Sequence, residues 1–106
     1  MSDASPDTAF ATLPLAPALI DNLASLGFAA MTPIQAEGLP PILAGRDVIA
    51  RAKTGSGKTA AFGLGLLSRL DLASFQVQGL ILCPTRELAD QVAGELRRLA
   101  RTLPNV

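Results

Sequence analysis

The stretch ARAKTGSGKTAA, residues 50–61, determines how the rest of this 106-residue chain is interpreted. Gly55 and Gly57 can adopt backbone angles closed to other residues, so successive N–H groups can turn toward phosphate oxygens at the start of a helix. Lys58 can reach the β and γ phosphates, and the Thr59 hydroxyl can coordinate Mg²⁺. The pattern predicts a phosphate-binding loop, with Lys58 and Thr59 as the catalytic candidates and Thr59 as the metal ligand. Its candidate nucleotide-binding residues are Thr54, Gly55, Ser56, Gly57, Lys58 and Thr59.

The strict loop pattern begins with glycine, whereas this chain has Ala52 at that position. This departure indicates a subset of phosphate-loop proteins that accepts alanine there. Arg51 and Lys53 add positive charge beside the loop, either as solvated side chains or as specific phosphate contacts. The loop alone does not select the base, because it binds the phosphates of ATP and GTP alike.

Segments on both sides of the loop predict an α/β fold. DVIARA, residues 47–52, is typical of a short buried strand, and a helix is expected from Lys58 to Leu70. GLILC, residues 79–83, is typical of a second strand that Pro84 ends. Buried strands alternating with helices predict a parallel sheet flanked by helices. Two strands are too few for such a sheet, so we expect the chain to be the truncated front part of a larger domain.

Three further helices are expected from helical spacing of apolar residues. The first carries a stripe from Leu15 to Leu26 and is followed by Gly27. The second begins at Thr32, with Gln35 in a Thr-x-x-Gln capping box, and runs to about Leu43. The last follows Pro84. Its apolar stripe comprises Leu88, Val92, Leu96, Leu99 and Leu103. On local sequence alone Gln35 is either part of a helix cap or a residue that contacts a ligand.

Composition limits the classes of partner. The chain is 49% hydrophobic and 17% charged with a formal charge of zero, so any nucleic-acid contact must be local. Residues 1–9 are expected to form a flexible leader without the features of a signal peptide. Cys83 is expected to pack as a small hydrophobe. With no apolar run long enough for a membrane span, we expect no membrane association and a cytoplasmic location.

Three separated motifs resemble those of the DEAD-box ATP-dependent RNA helicases. GFAAMTPIQ, residues 27–35, is similar to the Q motif, AKTGSGKT to motif I, and PTRELA, residues 84–89, to motif Ia. Phe10 lies where that family has an isolated aromatic residue upstream of the Q motif. The intervening sequence resembles the bacterial DbpA subfamily, whose members act on ribosomal RNA of the large subunit. Many Q motifs have proline at the position of Met31.

The resemblance implies an ATP site in a partial RecA-like domain covering residues 10–106. Phe10 would stack on the adenine, the Gln35 amide would bind the adenine edge, and Thr32 would tie the Q motif to the loop. The implied cofactors are ATP and Mg²⁺. The implied partner is RNA, ribosomal RNA in particular, bound through its backbone by Pro84, Thr85 and Arg86 at a helix start.

The resemblance also implies parts that this sequence does not contain. The family supplies its catalytic carboxylates from a later D-E-A-D segment, and it has a second RecA-like domain; the DbpA subfamily adds a C-terminal RNA-binding domain. We therefore expect these 106 residues alone to have neither ATPase nor unwinding activity. Two alternatives stay open: a different phosphate-loop NTPase, such as a nucleotide kinase or GTPase, and a short non-catalytic nucleotide-binding module.

Overall fold

The computed structural model describes residues 9–53, 57–104 and 106, and within them the chain is built from helices. A short 3-10 helix, Phe10–Thr12, comes first. The α-helices are α1 (Pro17–Ser25), α2 (Pro33–Leu43), α3 (Lys58–Ser68) and α4 (Arg86–Leu99). Each of these α-helices lies where the sequence predicted a helix, so the helical part of the sequence prediction is confirmed.

The helix starts follow from local sequence. Pro17 and Pro33 occupy first-turn positions, where a missing N–H costs nothing because no intrahelical acceptor exists there. This explains why α1 begins at Pro17 and not at Leu15. Thr85 caps α4 as predicted, since its Oγ1 accepts a hydrogen bond from the Leu88 N–H at 3.1 Å.

The helices enclose one apolar core in which α2 packs on α3, and α4 packs on both α3 and α1. Two glycines of α3 allow this close approach. A Cβ at Gly63 would stand 2.8 Å from Leu96 Cδ2 of α4, and a Cβ at Gly65 would collide with Ile42 of α2. The most deeply buried apolar side chains are Leu19, Leu23, Leu39, Leu64 and Leu99.

The predicted parallel sheet is not present in the part of the chain that the structure describes. Residues 47–52 and 79–83, the two expected strands, have no regular secondary structure, and no backbone hydrogen bond between them is found among the described residues. A strand exists only where a neighbour accepts and donates ladder hydrogen bonds, and neither segment supplies one to the other. The sequence pattern identified segments suited to strands but could not provide their partners.

These two segments carry large apolar side chains that the helices do not cover. Ile49 is 96% exposed, Leu82 85% and Leu80 79%. Apolar residues this exposed on neighbouring segments indicate a face normally covered by further structure. Cys83, expected to be packed, is only half-buried at the edge of this face.

None of the helices described in residues 9–53, 57–104 and 106 is both long enough and apolar enough to cross a bilayer.

Candidate nucleotide-binding site

The predicted phosphate loop leads into the N-terminus of α3. Gly57 is the N-cap residue with φ 90° and ψ 18°, a left-handed conformation that favours glycine. Lys58 and Thr59 are the first two residues of the helix, so their N–H groups belong to its positive end. Lys58 is exposed and Thr59 half-buried. The other predicted loop residues, Thr54, Gly55 and Ser56, lie outside the described residues.

Gln35 joins the start of α2 to this loop. Its side chain is 1% exposed, and its Oε1 accepts a hydrogen bond from the Thr32 N–H at 2.9 Å. Its Nε2 donates to the carbonyl oxygen of Gly57 at 3.1 Å. The amide therefore serves as half of the predicted capping box and also holds the residue that begins α3.

Thr32 lies beside the same point of the loop. It is the N-cap residue of α2 in a capping-box arrangement with Gln35, but its buried Oγ1 has no hydrogen-bond partner among the described residues. A Cβ at Gly57 would stand 3.1 Å from this oxygen and would collide with Gln35 Nε2. Thr32 Oγ1 is therefore a buried hydroxyl beside Gly57 whose hydrogen-bonding capacity is not used by the described residues.

Phe10 packs at the other side of the Q motif. Its ring meets that of Phe28 edge to face, with centroids 6.2 Å apart and an interplanar angle of 87°. Phe10 is 5% exposed, so most of its ring is in contact with the protein and only a small part is open to a ligand. The sequence reading did not anticipate this partner, although an aromatic residue directly after Gly27 was a visible signal.

The predicted RNA-contacting residues lie together at the N-terminus of α4. Pro84 and Thr85 precede the helix, Arg86 is its first residue, and all three are exposed. Glu87 is the acidic residue of the first turn and complements the positive helix end. In the described part of the chain no carboxylate forms an ion pair with Arg86, so its guanidinium is available to an external anion.

A cavity of about 720 Å³ separates the loop end of α3 from the start of α4. Lys58 and Thr59 border it on one side and Pro84 on another, while most of its lining is apolar and includes Leu80 and Leu82. A magnesium triphosphate needs N–H groups, cations and oxygens around it. The cavity is therefore part of the uncovered apolar face, and the polar groups suited to phosphate are at its rim.

Thr59 is the Mg²⁺ ligand that the sequence pattern predicts. The structure shows no group of three or more His, Cys, Asp or Glu side chains suited to a metal ion within residues 9–53, 57–104 and 106. Thr59 thus remains the candidate Mg²⁺ ligand, and one hydroxyl fits a Mg²⁺ ion that takes its other oxygens from phosphates and water.

The sequence prediction missed one buried polar residue, which lies where α1 meets the C-terminal end of α4. Asn22 of α1 is 2% exposed and donates from Nδ2 to the carbonyl oxygens of Arg98, at 2.8 Å, and Leu99, at 3.0 Å. The signal was present, because Asn22 falls within the apolar stripe of α1 between Leu19 and Leu23. A polar residue in that stripe predicts a buried partner.

Comparison with known proteins agrees with this geometry. The family model described as DEAD/DEAH box helicase matches residues 32–106. The ATP-dependent RNA helicase DbpA of Escherichia coli (strain K12) is 70% identical over 99 residues, which cover 92% of this chain and 22% of that protein. The DEAD-box ATP-dependent RNA helicase CshA of Bacillus cereus is 49% identical over 94 residues, covering 89% of this chain and 18% of that protein. The chain thus spans about a fifth of the length of these curated relatives.

The chain is also similar to solved structures of known proteins. A DEAD box protein from the hyperthermophile Methanococcus jannaschii superposes with a TM-score of 0.87 at 35% identity, over 93% of this chain and 27% of that one. S. cerevisiae Dbp5 bound to RNA and ADP BeF3 superposes with a TM-score of 0.85 at 34% identity, over 90% of this chain and 25% of that one. The family match extends over most of the chain and includes the capped helix α2, the loop end of α3 and the start of α4. The chain belongs to the DEAD/DEAH box helicase family.

Proposed function

We propose that this chain is the N-terminal ATP-binding part of an ATP-dependent RNA helicase, within the first RecA-like domain. The observation that carries the proposal is the hydrogen bond from Gln35 Nε2 to the Gly57 carbonyl, 3.1 Å long. It places an amide able to contact a base edge directly beside a helix N-terminus able to bind phosphates. Because this hydrogen bond holds the Gln35 amide beside the N-terminus of α3, one nucleotide can contact both.

Adenine recognition by Gln35 is compatible with its role in the helix cap. A primary amide has two N–H donors and an oxygen with two lone pairs. In this structure one N–H is directed to Gly57 and one lone pair to the Thr32 N–H. The remaining N–H and lone pair would match the adjacent acceptor and donor on the adenine edge once the base displaces what covers the 1% exposed side chain. Guanine has an oxygen acceptor in place of the amino donor of adenine. Gln35 would therefore select ATP over GTP, while Phe10 would contact the ring.

The phosphates and the metal ion would be held at the start of α3. Lys58 supplies a point charge for the β and γ phosphates, and the helix N-terminus contributes its free N–H groups. Thr59 would contribute one oxygen to Mg²⁺, which supplies charge stabilisation when it is bound. Thr54, Gly55 and Ser56 complete the proposed loop in the sequence pattern. Thr32 Oγ1, buried beside Gly57 without a partner, supports the proposal that Thr32 fixes the loop.

RNA would bind by its backbone at the start of α4. Pro84, Thr85 and Arg86 present an exposed helix N-terminus and a guanidinium without an ion-pair partner among the described residues. Such a site binds phosphate and does not distinguish bases. The RNA bound to S. cerevisiae Dbp5 in its solved complex supports this class of partner. We further propose ribosomal RNA of the large subunit as the target, as the resemblance to the DbpA subfamily implies, and a cytoplasmic location.

The whole activity would require residues outside this chain. Hydrolysis needs carboxylates to hold Mg²⁺ and position water, and no acidic cluster suited to that is found in the described part of the chain. Because the chain spans about a fifth of its relatives, we propose that these groups, the second RecA-like domain and an RNA-binding domain lie in the remainder. The 106 residues alone are expected to release no phosphate from ATP.

The test is RNA-stimulated ATP hydrolysis by the full-length protein that carries this segment. The matched control is Arg97, an exposed cation in the last turn of α4. Lys58→Ala is expected to reduce stimulated turnover by about a hundredfold or more, since it removes the charge beside the transferred phosphate. Arg97→Ala is expected to retain it. Equal effects of the two substitutions, or no stimulation by RNA in the unmodified protein, would contradict the proposal.

A further inference from the structure

Four side-chain hydrogen bonds fasten α1 to the C-terminal end of α4 and to the turn that follows it. Asn22 contributes two of them, to the carbonyl oxygens of Arg98 and Leu99. Near them, Thr102 Oγ1 donates to the Ala18 carbonyl at 3.1 Å, and an Arg101 guanidinium nitrogen donates to Ser25 Oγ at 3.0 Å. We call this set the α1–α4 clasp. It joins residues 76 to 84 positions apart in sequence.

The clasp satisfies backbone groups that the helix itself leaves open. The last four carbonyls of a helix have no intrahelical donor, and burying them without one is costly. Asn22, which is 2% exposed, donates to two such carbonyls. The Arg98 carbonyl also accepts from the Arg101 N–H at 3.4 Å, so the Leu99 carbonyl depends most on Asn22. A leucine at this position would fill the space without donating, and an aspartate would direct an oxygen at two carbonyl oxygens. The position therefore requires the chemistry of an amide.

Each clasped helix leads to a different part of the proposed site. α4 is 14 residues and about 21 Å long, with the clasp at one end and Thr85 and Arg86 at the other. After α1 the chain turns at Gly27, where Phe28 meets Phe10, and enters the segment that ends at Gln35. A tilt of α4 by about 10° about its clasped end would move the RNA end by about 4 Å.

We propose that Asn22 is a positioning residue for RNA binding: it fixes α4 against α1, and thereby sets the place of Arg86 relative to the nucleotide-contacting segment. This inference rests on the proposed function, because it assigns Asn22 a part in forming the RNA site of that helicase. Asn22 contacts neither ligand. Its effect passes through α4, so its loss changes the apparent affinity for RNA and leaves ATP binding unchanged.

The experiment measures RNA-stimulated ATP hydrolysis by the full-length protein, titrated separately with RNA and with ATP. Asn22→Asp preserves shape and removes the donors. We expect the RNA concentration for half-maximal stimulation to rise about threefold to tenfold, while KM for ATP and turnover at saturating RNA stay within about twofold. Thr102→Ala, which removes one exposed bond of the clasp, is expected to give a smaller rise in the same parameter and keeps the test open if Asn22→Asp fails to fold.

The control separates positioning from general stability. Leu15→Ala truncates a core side chain and removes none of the four clasp bonds, so it should lower the melting temperature without changing the RNA half-saturation. If the clasp variants only lower the melting temperature, as Leu15→Ala does, the inference is overturned and the proposed function stands. If the unmodified protein shows no RNA stimulation, the proposed function fails and the inference fails with it.

Discussion

The side-chain amide of Gln35 donates a hydrogen bond to the carbonyl oxygen of Gly57, 22 positions along the chain and 3.1 Å away. This bond connects the segment that would recognise the base with the loop that would hold the phosphates. It also explains why residue 57 must be glycine, since a Cβ there would collide with the same amide.

Gly57→Ala is expected to abolish measurable nucleotide binding. Gly57 has φ 90°, which strains any residue with a side chain, and its added Cβ would displace Gln35 as well. Gly27 provides a matched control, because its φ is also 90° but a Cβ there meets nothing within 4 Å. Gly27→Ala should therefore cost stability alone. Fluorescent-nucleotide titration of both variants is the measurement, and equal nucleotide affinities would refute the collision with Gln35 as the cause.

Gly63→Ala is expected to reduce the free energy of unfolding by about 1–2 kcal/mol, because overpacking outweighs the gain in helix propensity. The new methyl group would stand 2.8 Å from Leu96 Cδ2 and 3.2 Å from Leu99 Cδ1, forcing α3 and α4 apart. At Gly94 of α4 a Cβ meets nothing within 4 Å, so Gly94→Ala should be neutral or stabilising. Denaturant unfolding of the full-length variants measures both, and a stabilised Gly63→Ala would show that the helices are packed less tightly than described.

Thr85→Ala is expected to weaken RNA binding and to destabilise α4 by about 1 kcal/mol, since it removes the cap of the helix. The lost bond is the one from the Leu88 N–H to Thr85 Oγ1, 3.1 Å long. Thr85→Ser keeps the hydroxyl and should preserve both properties. RNA binding by fluorescence anisotropy, together with thermal unfolding, provides the check. A Ser variant as impaired as the Ala variant would indicate that the methyl group, and not the cap, is required.

The isolated chain of 106 residues is expected to lack a sharp cooperative thermal transition. Its uncovered face exposes Ile49, Leu80 and Leu82, and the expected strands have no partners among the described residues. Without a sheet the helices lose one of the layers they would pack against. Circular dichroism during heating measures this, and a single steep transition that is independent of concentration would disprove it.

The sequence predicted the parts of this molecule whose causes are local. Thr32, Pro33 and Thr85 mark helix starts by their own chemistry, and apolar spacing located α1 and α4. Residues 47–52 and 79–83 show the limit, because a strand depends on hydrogen bonds from another segment that composition does not reveal. Periodicity identified the suitable segments and could not establish their pairing.

The candidate site shows the same division between local and distant causes. The positions of Lys58 and Thr59 at a helix start followed from the glycine loop. The bond between Gln35 and Gly57 and the edge-to-face contact of Phe10 with Phe28 join distant segments, so local pattern did not predict them. Local sequence offered Gln35 as either a cap residue or a ligand contact, and the structure shows its amide bonded to the Thr32 N–H and to the Gly57 carbonyl.

The most direct test of the central claim is the ATP and GTP affinity of the full-length protein with and without the Gln35 amide. We expect ATP to bind more tightly than GTP by about tenfold or more, since guanine has an oxygen acceptor where adenine has its amino donor. Gln35→Ala should remove most of this preference, whereas Gln76→Ala, at an exposed glutamine away from the loop, should retain it. Equal affinities for the two nucleotides, or a preference unchanged by Gln35→Ala, would contradict the account.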